Sequence, residues 1–444
     1  MYEYEFKGDI NGRIMIPTPI GEVDLIPLFK DQAGRISIKE FEKFVINKDQ
    51  PNEDWSAALQ KAHEHLNNQT LSQQLIFPAG VYQYSVSPNW GKIPKDTQII
   101  AEGEVRLRYT GTENAVLFDA GERTGLLWHV YFGKFLIEAP ATAKNGLFVR
   151  GIHASKFEAK VLGAGTEYAG LRVEWCVCSE FDVIVSANHE GWYQGATPKF
   201  GYYLDKRELQ PVGHGGYTSW CKFNNPIIEG CQIGIHLERA QGCSFYSGTS
   251  EGNIQTGIVV SANAIYNKFF GIDLEVNPNY DVYCLGRENE FYGIDSTGQI
   301  HLEGYARDNL FIGGSQNSYY FGENTYGNLV NGVRYNRFNN GSIINDVSGK
   351  NRLSNNRNVG LNRSENRPAG SSAINVGASP FTYVNESGND EMIHILGGTI
   401  SNFLYVRGGY GDSQASVPSY IRLCPRDSCR VTYSVAPSMR KYTT

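Results

Sequence analysis

The sequence predicts an all-β protein built as a parallel β-helix, and two repeated signatures support this prediction. The first signature is a small residue, most often glycine, followed by alternating apolar and polar residues. Its spacing is 24 residues from Gly146 to Gly170 and 23 residues from Gly234 to Gly257, while two wider gaps indicate coils with inserted loops. A strand-like pattern that repeats every twenty-odd residues is typical of a solenoid in which each repeat is one coil. The copies begin at Gly146, Gly170, Gly201, Gly234, Gly257 and Gln299.

The second signature begins at a phenylalanine and interleaves with the first. Phe181 opens the series, and the spacing is 22 residues from Phe223 to Phe245, 24 to Phe269 and 22 to Phe291. Equivalent positions of successive coils lie above one another in a solenoid, so these aromatic residues are expected to form one column.

Composition and charge exclude several classes of function. The chain has 444 residues, which suits a solenoid because its length is not limited by the radius of one core. The net charge of −6 favours neither nucleic acid nor an anionic membrane as a partner. No apolar run approaches the roughly 20 residues that span a bilayer, and residues 1–6 carry no pattern of a secretory signal. Aromatic residues make up 12% of the chain, which suits both a stacked core and a sugar-binding surface.

The eight cysteines have no zinc-type spacing, and most fall inside the repeats, which favours buried free thiols. A hairpin disulfide between Cys424 and Cys429 stays open. No metal site and no cofactor motif is predicted from the sequence.

Residues 1–35 read as an N-terminal arm or adaptor, because three prolines interrupt any regular element. A helix follows, with Asn52 as its expected N-cap. Trp55, Leu59 and Leu66 share one face with two alanines, which predicts a helix that covers the open end of the solenoid.

The segments 54–62 and 75–82 resemble the opening of the pectate-lyase-like superfamily, in which a helix leads into a strand ending Phe-Pro-x-Gly-x-Tyr. The resemblance implies a right-handed parallel β-helix over residues 36–362. Residues 44–49 depart from it, because the glycine-containing run usual before the helix is missing. Within the superfamily the chain most resembles phage tailspike depolymerases. That likeness implies a polysaccharide substrate, a homotrimer, attachment to a virion through the arm, and a virion-tail or extracellular location.

Residues 371–444 show a separate, hairpin-like pattern after an Asn-, Arg- and Ser-rich stretch. The runs 381–384 and 392–396 flank a turn-like segment, and 403–406 and 430–433 are further strand candidates. The pattern predicts a small antiparallel sandwich, which resembles the C-terminal domains of tailspike-like proteins.

Outward-facing carboxylates are the candidates for chemistry, because glycoside hydrolysis needs two carboxyl groups about 5–5.5 Å or about 6.5–9.5 Å apart. Adjacent coils of a solenoid supply roughly the first spacing and alternate coils the second. The candidate catalytic residues are Asp205, Glu238, Glu251, Asp273 and Glu275, with Glu251 and either Glu275 or Asp273 as first choice. The candidate substrate-binding residues are Arg172, Glu174, Tyr203, His236, Arg239, Trp192 and Trp220. In this register Glu174, Asp205 and Glu238 would form a ladder of like charges.

Three other readings stay open at this stage. A polysaccharide lyase would use His236 as base with Arg172 and Arg239 to neutralise a uronate, although the outward columns are acidic; a calcium-assisted version could use those acids. A receptor-binding protein could grip a glycan without cutting it. The carboxylates could also be ordinary solvated surface.

Overall fold

The computed structural model of the chain describes residues 7–8, 14–18, 21–24, 34–69, 73–121, 126–189, 193–194, 197–206, 216–335, 344–354, 356–358, 363–365, 371–387, 390–407, 410–414 and 417–443. The chain forms two compact units, residues 1–231 and 232–444. Both contain coils of a right-handed parallel β-helix, which confirms the predicted fold class. The domain boundaries at residues 35, 362 and 371 stay predictions.

The first unit begins with a small antiparallel sheet and a helical segment. The sheet contains Lys7–Gly8, Ile14–Thr18 and Gly21–Asp24. A 3-10 helix, Ile38–Phe44, precedes the α-helix Ser56–Asn67, whose buried face includes Leu59 and Leu66 as predicted. The prediction of Asn52 as N-cap was wrong: Trp55 holds that position, and the Asp54 carboxylate accepts a 2.8 Å hydrogen bond from the Ser56 amide. A second 3-10 helix spans Trp90–Lys92.

Two parallel sheets make up most of the first unit. The first contains, in order, Val116–Asp119, Leu147–Arg150, Ala169–Glu174 and Phe200–Asp205. The second contains Arg35–Ser37, Gln74–Tyr84, Gln98–Tyr109, Tyr131–Glu138, Lys156–Leu162 and Glu180–Ser186, the last paired with Lys222–Asn224 and Ile227–Glu229. Short strands lie at Leu127–Trp128, Ile152–His153, Asn188–His189, Tyr193–Gln194 and Thr218–Ser219.

The coils of the second unit contribute strands to three parallel sheets. The first sheet contains Ile233–Leu237, Thr256–Val260, Tyr280–Cys284, Gln299–Leu302, Ser318–Phe321 and Ile344–Asp346. The second contains Ser244–Tyr246, Lys268–Phe270, Glu290–Tyr292, Leu310–Ile312, Leu329–Asn331 and Arg352–Ser354. The third contains Thr249–Glu251, Asp273–Glu275 and Asp295–Ser296. Short strands lie at Ala240–Gln241, Arg334–Tyr335, Asn356–Asn358 and Arg363–Glu365.

The C-terminal residues form two four-stranded antiparallel sheets that share one apolar core, as the sequence predicts. One sheet contains Ser371–Ile374, Ser438–Thr443, Glu391–Leu396 and Tyr420–Leu423. The other contains Phe381–Val384, Ser428–Val435, Thr399–Arg407 and Tyr410–Gln414. Ile393 and Leu423 from the first sheet pack with Phe403 and Val431 from the second.

The core of the coils follows the two signatures. In the second unit Ile235, Ile258, Val282 and Ile300 are in register and fully buried. The phenylalanine column also forms, with ring centroids 4.8 Å apart from Phe245 to Phe269 and from Phe269 to Phe291. In the first unit Phe181 and Phe223 stack at 5.0 Å. These stacks confirm the register on which the candidate site depends.

A column of buried asparagines runs beside the phenylalanine column in the second unit. The Nδ2 of each residue donates to the Oδ1 of the next at 2.8–3.1 Å, and the same oxygen also accepts from a backbone amide. The column consists of Asn267, Asn289, Asn309, Asn328 and Asn351. The column provides hydrogen-bond partners for the polar groups at this bend of the coils, because buried polar groups need such partners.

Asp281 is a fully buried carboxylate in the same unit. It accepts hydrogen bonds from Asn277 Nδ2 at 2.8 Å, Ser296 Oγ at 2.7 Å and the Gly298 amide at 2.5 Å. Burial raises the pKa of Asp281, and these hydrogen bonds oppose that shift only in part.

Candidate functional site

Carboxylates line the outward side of the third sheet of the second unit, and this surface is called the acidic face below. Glu251 and Glu275 are register partners on adjacent coils, and Asp273 is likewise paired with Asp295. Glu275 lies two residues after Asp273 on one strand, so both side chains lie on the same side of the sheet. The four residues are partly exposed. No hydrogen bond or ion pair with another described residue engages the side chain of Glu251 or Glu275.

General strand spacings place the carboxylates of this face at separations close to the two ranges expected for a pair of catalytic carboxyl groups. Neighbouring strands lie about 4.8 Å apart, which places the Glu251–Glu275 pair near the shorter separation. Two residues along a strand span roughly 6.6 Å, and diagonal neighbours about 7–8 Å. The pairs Asp273–Glu275 and Glu251–Asp273 therefore suit the longer separation.

An outward aromatic column lies on the second sheet, immediately before the acidic face along the chain. Tyr246, Phe270 and Tyr292 stack with ring centroids 5.1 Å apart and nearly parallel planes. Tyr246 is 39% exposed, and the other two rings are partly exposed. Two residues, one of them glycine, separate each ring from the first outward residue of the third sheet. Sequence reasoning missed this column, although each member directly follows a phenylalanine of the second signature.

His236 and Glu238 occupy the end of the first strand of the second unit and share Ser261. The Ser261 hydroxyl donates to Glu238 Oε2 at 2.8 Å and lies 3.0 Å from His236 Nε2, and that nitrogen is 3.3 Å from Glu238 Oε2. Both side chains are therefore held by local contacts, and Arg239 follows on the bend, half-buried. The network is a compact hydrogen-bonded group on a different sheet from the acidic face.

In the first unit, Glu174 lies between two arginines at the end of the first sheet. Arg172 Nε donates to Glu174 Oε1 at 2.7 Å, and Arg150 Nη1 lies 3.5 Å from Glu174 Oε2. Arg150 Nε also donates to Asp119 at 2.7 Å. Glu174 is only 5% exposed, and burial raises the pKa of its carboxyl although the arginines lower it.

The expected neighbouring like charges are present here, because Glu174 and Asp205 are register partners. Arg150 and Arg172 compensate Glu174 from neighbouring positions. Tyr203 completes the group, with its hydroxyl 3.2 Å from Asp205 Oδ2 and its ring under Arg172. Glu238 belongs to the second unit.

Of the two tryptophans predicted to bind substrate, the structure describes only Trp220. Trp220 is 60% exposed in the first unit, with a backbone φ of 57°. Trp192 lies outside the described residues.

A histidine surrounded by tyrosines occupies the outward side of the first sheet of the second unit. The His301 ring stacks on Tyr320 at 4.4 Å and contacts Tyr280 at 4.6 Å. Its Nε2 is 3.5 Å from Glu303 Oε2, which also accepts from the Tyr283 hydroxyl at 3.0 Å. Burial lowers the pKa of His301, so the neutral imidazole is favoured.

Comparison with known proteins finds similarity in structure. No family model matches the sequence, and no curated protein matches it. ORF18 of Geobacillus virus E2 aligns with a TM-score of 0.49 and 15% identity, covering 97% of this chain and 82% of that one. Tailspike protein 3 of bacteriophage CBA120 aligns at 0.41 and 13%, covering 79% and 67%. The tailspike gp49 of Acinetobacter baumannii bacteriophage Fri1, a capsular polysaccharide depolymerase, aligns at 0.38 and 9%, covering 92% and 86%.

In the described part of the chain, none of the helices is long and apolar enough to cross a membrane. Nor does that part of the chain contain a group of three or more His, Cys, Asp or Glu side chains able to hold a metal ion.

Proposed function

We propose that this protein is a polysaccharide depolymerase of the glycoside hydrolase class, whose catalytic carboxylates lie on the acidic face. The observation that carries the proposal is the aromatic column of Tyr246, Phe270 and Tyr292 placed beside in-register carboxylates. Aromatic rings bind the apolar C–H faces of sugars, and paired carboxyl groups cleave the bonds between them. Like charges in register cost stability, about 0.2–1 kcal/mol per pair, which favours a functional reason for keeping them.

Glu251 and Glu275 remain the first choice for the catalytic pair, because their spacing on adjacent coils suits a retaining reaction. One carboxyl would donate its proton to the glycosidic oxygen while the other attacks the anomeric carbon and forms a glycosyl ester. The first carboxylate would then take a proton from water, and the resulting attack would break the ester and release the sugar. If Asp273 replaces either partner, the longer spacing leaves room for a water molecule and predicts inversion instead.

The lyase alternative has weaker support. It needs a base together with a cation that neutralises the uronate carboxylate. Arg172 already binds Glu174, and His236 is engaged by Ser261 and Glu238. A non-catalytic glycan receptor remains the second candidate, because the aromatic column alone would support binding. The homotrimer, the attachment to a virion and the virion-tail or extracellular location belong to this proposal and rest on the sequence resemblance.

The test is digestion of a panel of bacterial capsule and O-antigen polysaccharides, with new reducing ends and unsaturated-uronate absorbance followed together. Reducing ends without absorbance are expected. Glu251→Gln and Glu275→Gln should each lower turnover roughly 10²- to 10⁴-fold while glycan binding persists. The matched control is Glu323→Gln, an exposed glutamate elsewhere in the second unit, which should leave turnover unchanged.

The stereochemistry of the first product separates the possible pairs. Retention of configuration supports Glu251 with Glu275, and inversion supports a pair that contains Asp273. Absorbance that rises with the reducing ends would establish a lyase. Binding to the panel without any cleavage would refute the enzyme and leave the receptor.

A further inference from the structure

A cleft of about 810 Å³ lies in the second unit, away from the acidic face. Its wall on the β-helix side comes from the bends of the last coils, including Arg307, Tyr326 and Lys350. Its opposite wall comes from two loops of the C-terminal sheets, at Glu386 and at Arg426. It is called the basic cleft below.

Three cations of the basic cleft have no counter-ion among the described residues. The side chains of Lys350, Arg352 and Arg426 are exposed and make no ion pair or hydrogen bond there. Arg307, by contrast, donates to the Tyr326 hydroxyl and lies 4.0 Å from Asp308. Unpaired arginines around a concavity are suited to a carboxylate, which the planar guanidinium binds through two parallel hydrogen bonds.

The two loops that carry Glu386 and Arg426 are held in place by Asn385. The side-chain Nδ2 of this buried residue donates to the Leu423 carbonyl at 2.9 Å, and its backbone carbonyl accepts from the Arg426 amide at 2.8 Å. Arg426 itself has a φ of 69°, a left-handed conformation that is uncommon for a long side chain. Such a conformation persists where the surroundings impose it, and it is often found at binding sites.

The acids of the basic cleft limit which anion it suits. Glu386 has no cation partner among the described residues, and Glu288 and Asp308 also line the space. Carboxylates accept hydrogen bonds from hydroxyl groups but repel a multiply charged phosphate. The mixture therefore favours a ligand that combines one carboxylate with several hydroxyls, and the Tyr326 ring adds an apolar surface.

We propose that the basic cleft binds a carboxylate-bearing sugar residue, such as a uronic acid, within an acidic glycan. The site differs from the acidic face, where a negatively charged sugar would be repelled, and it does not depend on the proposed hydrolysis. In a glycan that contains both neutral and acidic sugars, the cleft would hold an acidic residue while the acidic face acts on neutral ones.

The experiment measures binding of a galacturonate trimer to the full chain by calorimetry. Wild-type protein should bind it, with affinity that falls as salt rises, and the methyl-esterified trimer should bind at least tenfold more weakly. The variant Arg352→Gln/Arg426→Gln should lose at least tenfold in affinity. The control Arg334→Gln/Arg430→Gln removes two exposed arginines outside the cleft and should bind as wild type. Thermal unfolding of both variants checks that they are folded.

Four results would overturn the proposal. The first two are no binding of the trimer at millimolar concentration and equal affinity for the trimer and its methyl ester. The other two are an equal loss of affinity in the control double variant and displacement of the bound trimer by inorganic phosphate at equal concentration. The variant Glu275→Gln should bind the trimer normally. This result separates the cleft from the catalytic proposal, because either one can fail while the other stands.

Discussion

The asparagine column permits a prediction whose magnitude follows from named hydrogen bonds. Asn309 is 1% exposed. Its Oδ1 accepts from the Asn289 amide at 2.9 Å, and its Nδ2 donates to the Gly286 carbonyl at 2.9 Å and to Asn328. Asn309→Ala removes these partners. The buried Asn289 amide then loses its acceptor, and the buried Gly286 carbonyl keeps only a weak 3.9 Å contact from Cys284 Sγ. At about 1–3 kcal/mol for each stranded group, the loss is roughly 2–6 kcal/mol.

Urea denaturation of Asn309→Ala measures this loss, with Asn279→Ala as the control because the Asn279 side chain is exposed. The control should change the free energy of unfolding by less than about 0.5 kcal/mol. Hydrogen exchange supplies a local readout, since the Asn289 amide should exchange faster once its acceptor is removed. Equal stabilities of the two variants, with Asn289 still protected, would refute the reasoning.

Two further predictions concern the outward aromatic column and the buried carboxylate Asp281. Phe270→Ala should raise KM about 2- to 12-fold in steady-state assays, the equivalent of losing an aromatic contact of about 0.5–1.5 kcal/mol. The control Val276→Ala, at an exposed position, should leave KM unchanged. An unchanged KM in Phe270→Ala would exclude the aromatic column from substrate binding. Asp281 has a folded pKa above its ordinary value of 3.8, so its contribution to stability is complete at lower pH and is lost as pH rises through the folded pKa. The free energy of unfolding of wild type relative to Asp281→Asn should therefore fall as pH rises above the ordinary pKa of an aspartate. A difference that rises with pH would contradict the burial argument.

The fold could be predicted because two periodic patterns report the same coil. Glycine at Gly234 and Gly257 marks the start of successive strands, and the phenylalanines mark the next sheet. Inward and outward positions then follow from the period of two. The predicted pairing of Glu251 with Glu275 was correct for this reason, since both follow the phenylalanine of their coil, Phe245 or Phe269, at the same spacing and so occupy equivalent positions on adjacent coils.

What the sequence did not reveal depends on contacts between coils. Asn289 and Asn309 each stand two residues before a phenylalanine, but a recurring asparagine reads equally well as a turn residue. Whether the charge of a carboxylate such as Glu174 is balanced depends on which cationic side chains are long enough to contact it. Arg150 and Arg172 form ion pairs with it from neighbouring positions. The basic cleft brings Lys350 close to Arg426, and a linear pattern cannot show that approach.

The asparagine column also affects how faithfully the coils align. Stacked phenylalanines attract one another without a strict direction, so they tolerate a small displacement. The amides of Asn289 and Asn309 do not, because a slip of one residue would leave donors and acceptors buried without partners. The column therefore favours the aligned register of the strands over a shifted one. Since Glu251 meets Glu275 only in that alignment, the same polar contacts would protect the spacing of the proposed catalytic pair.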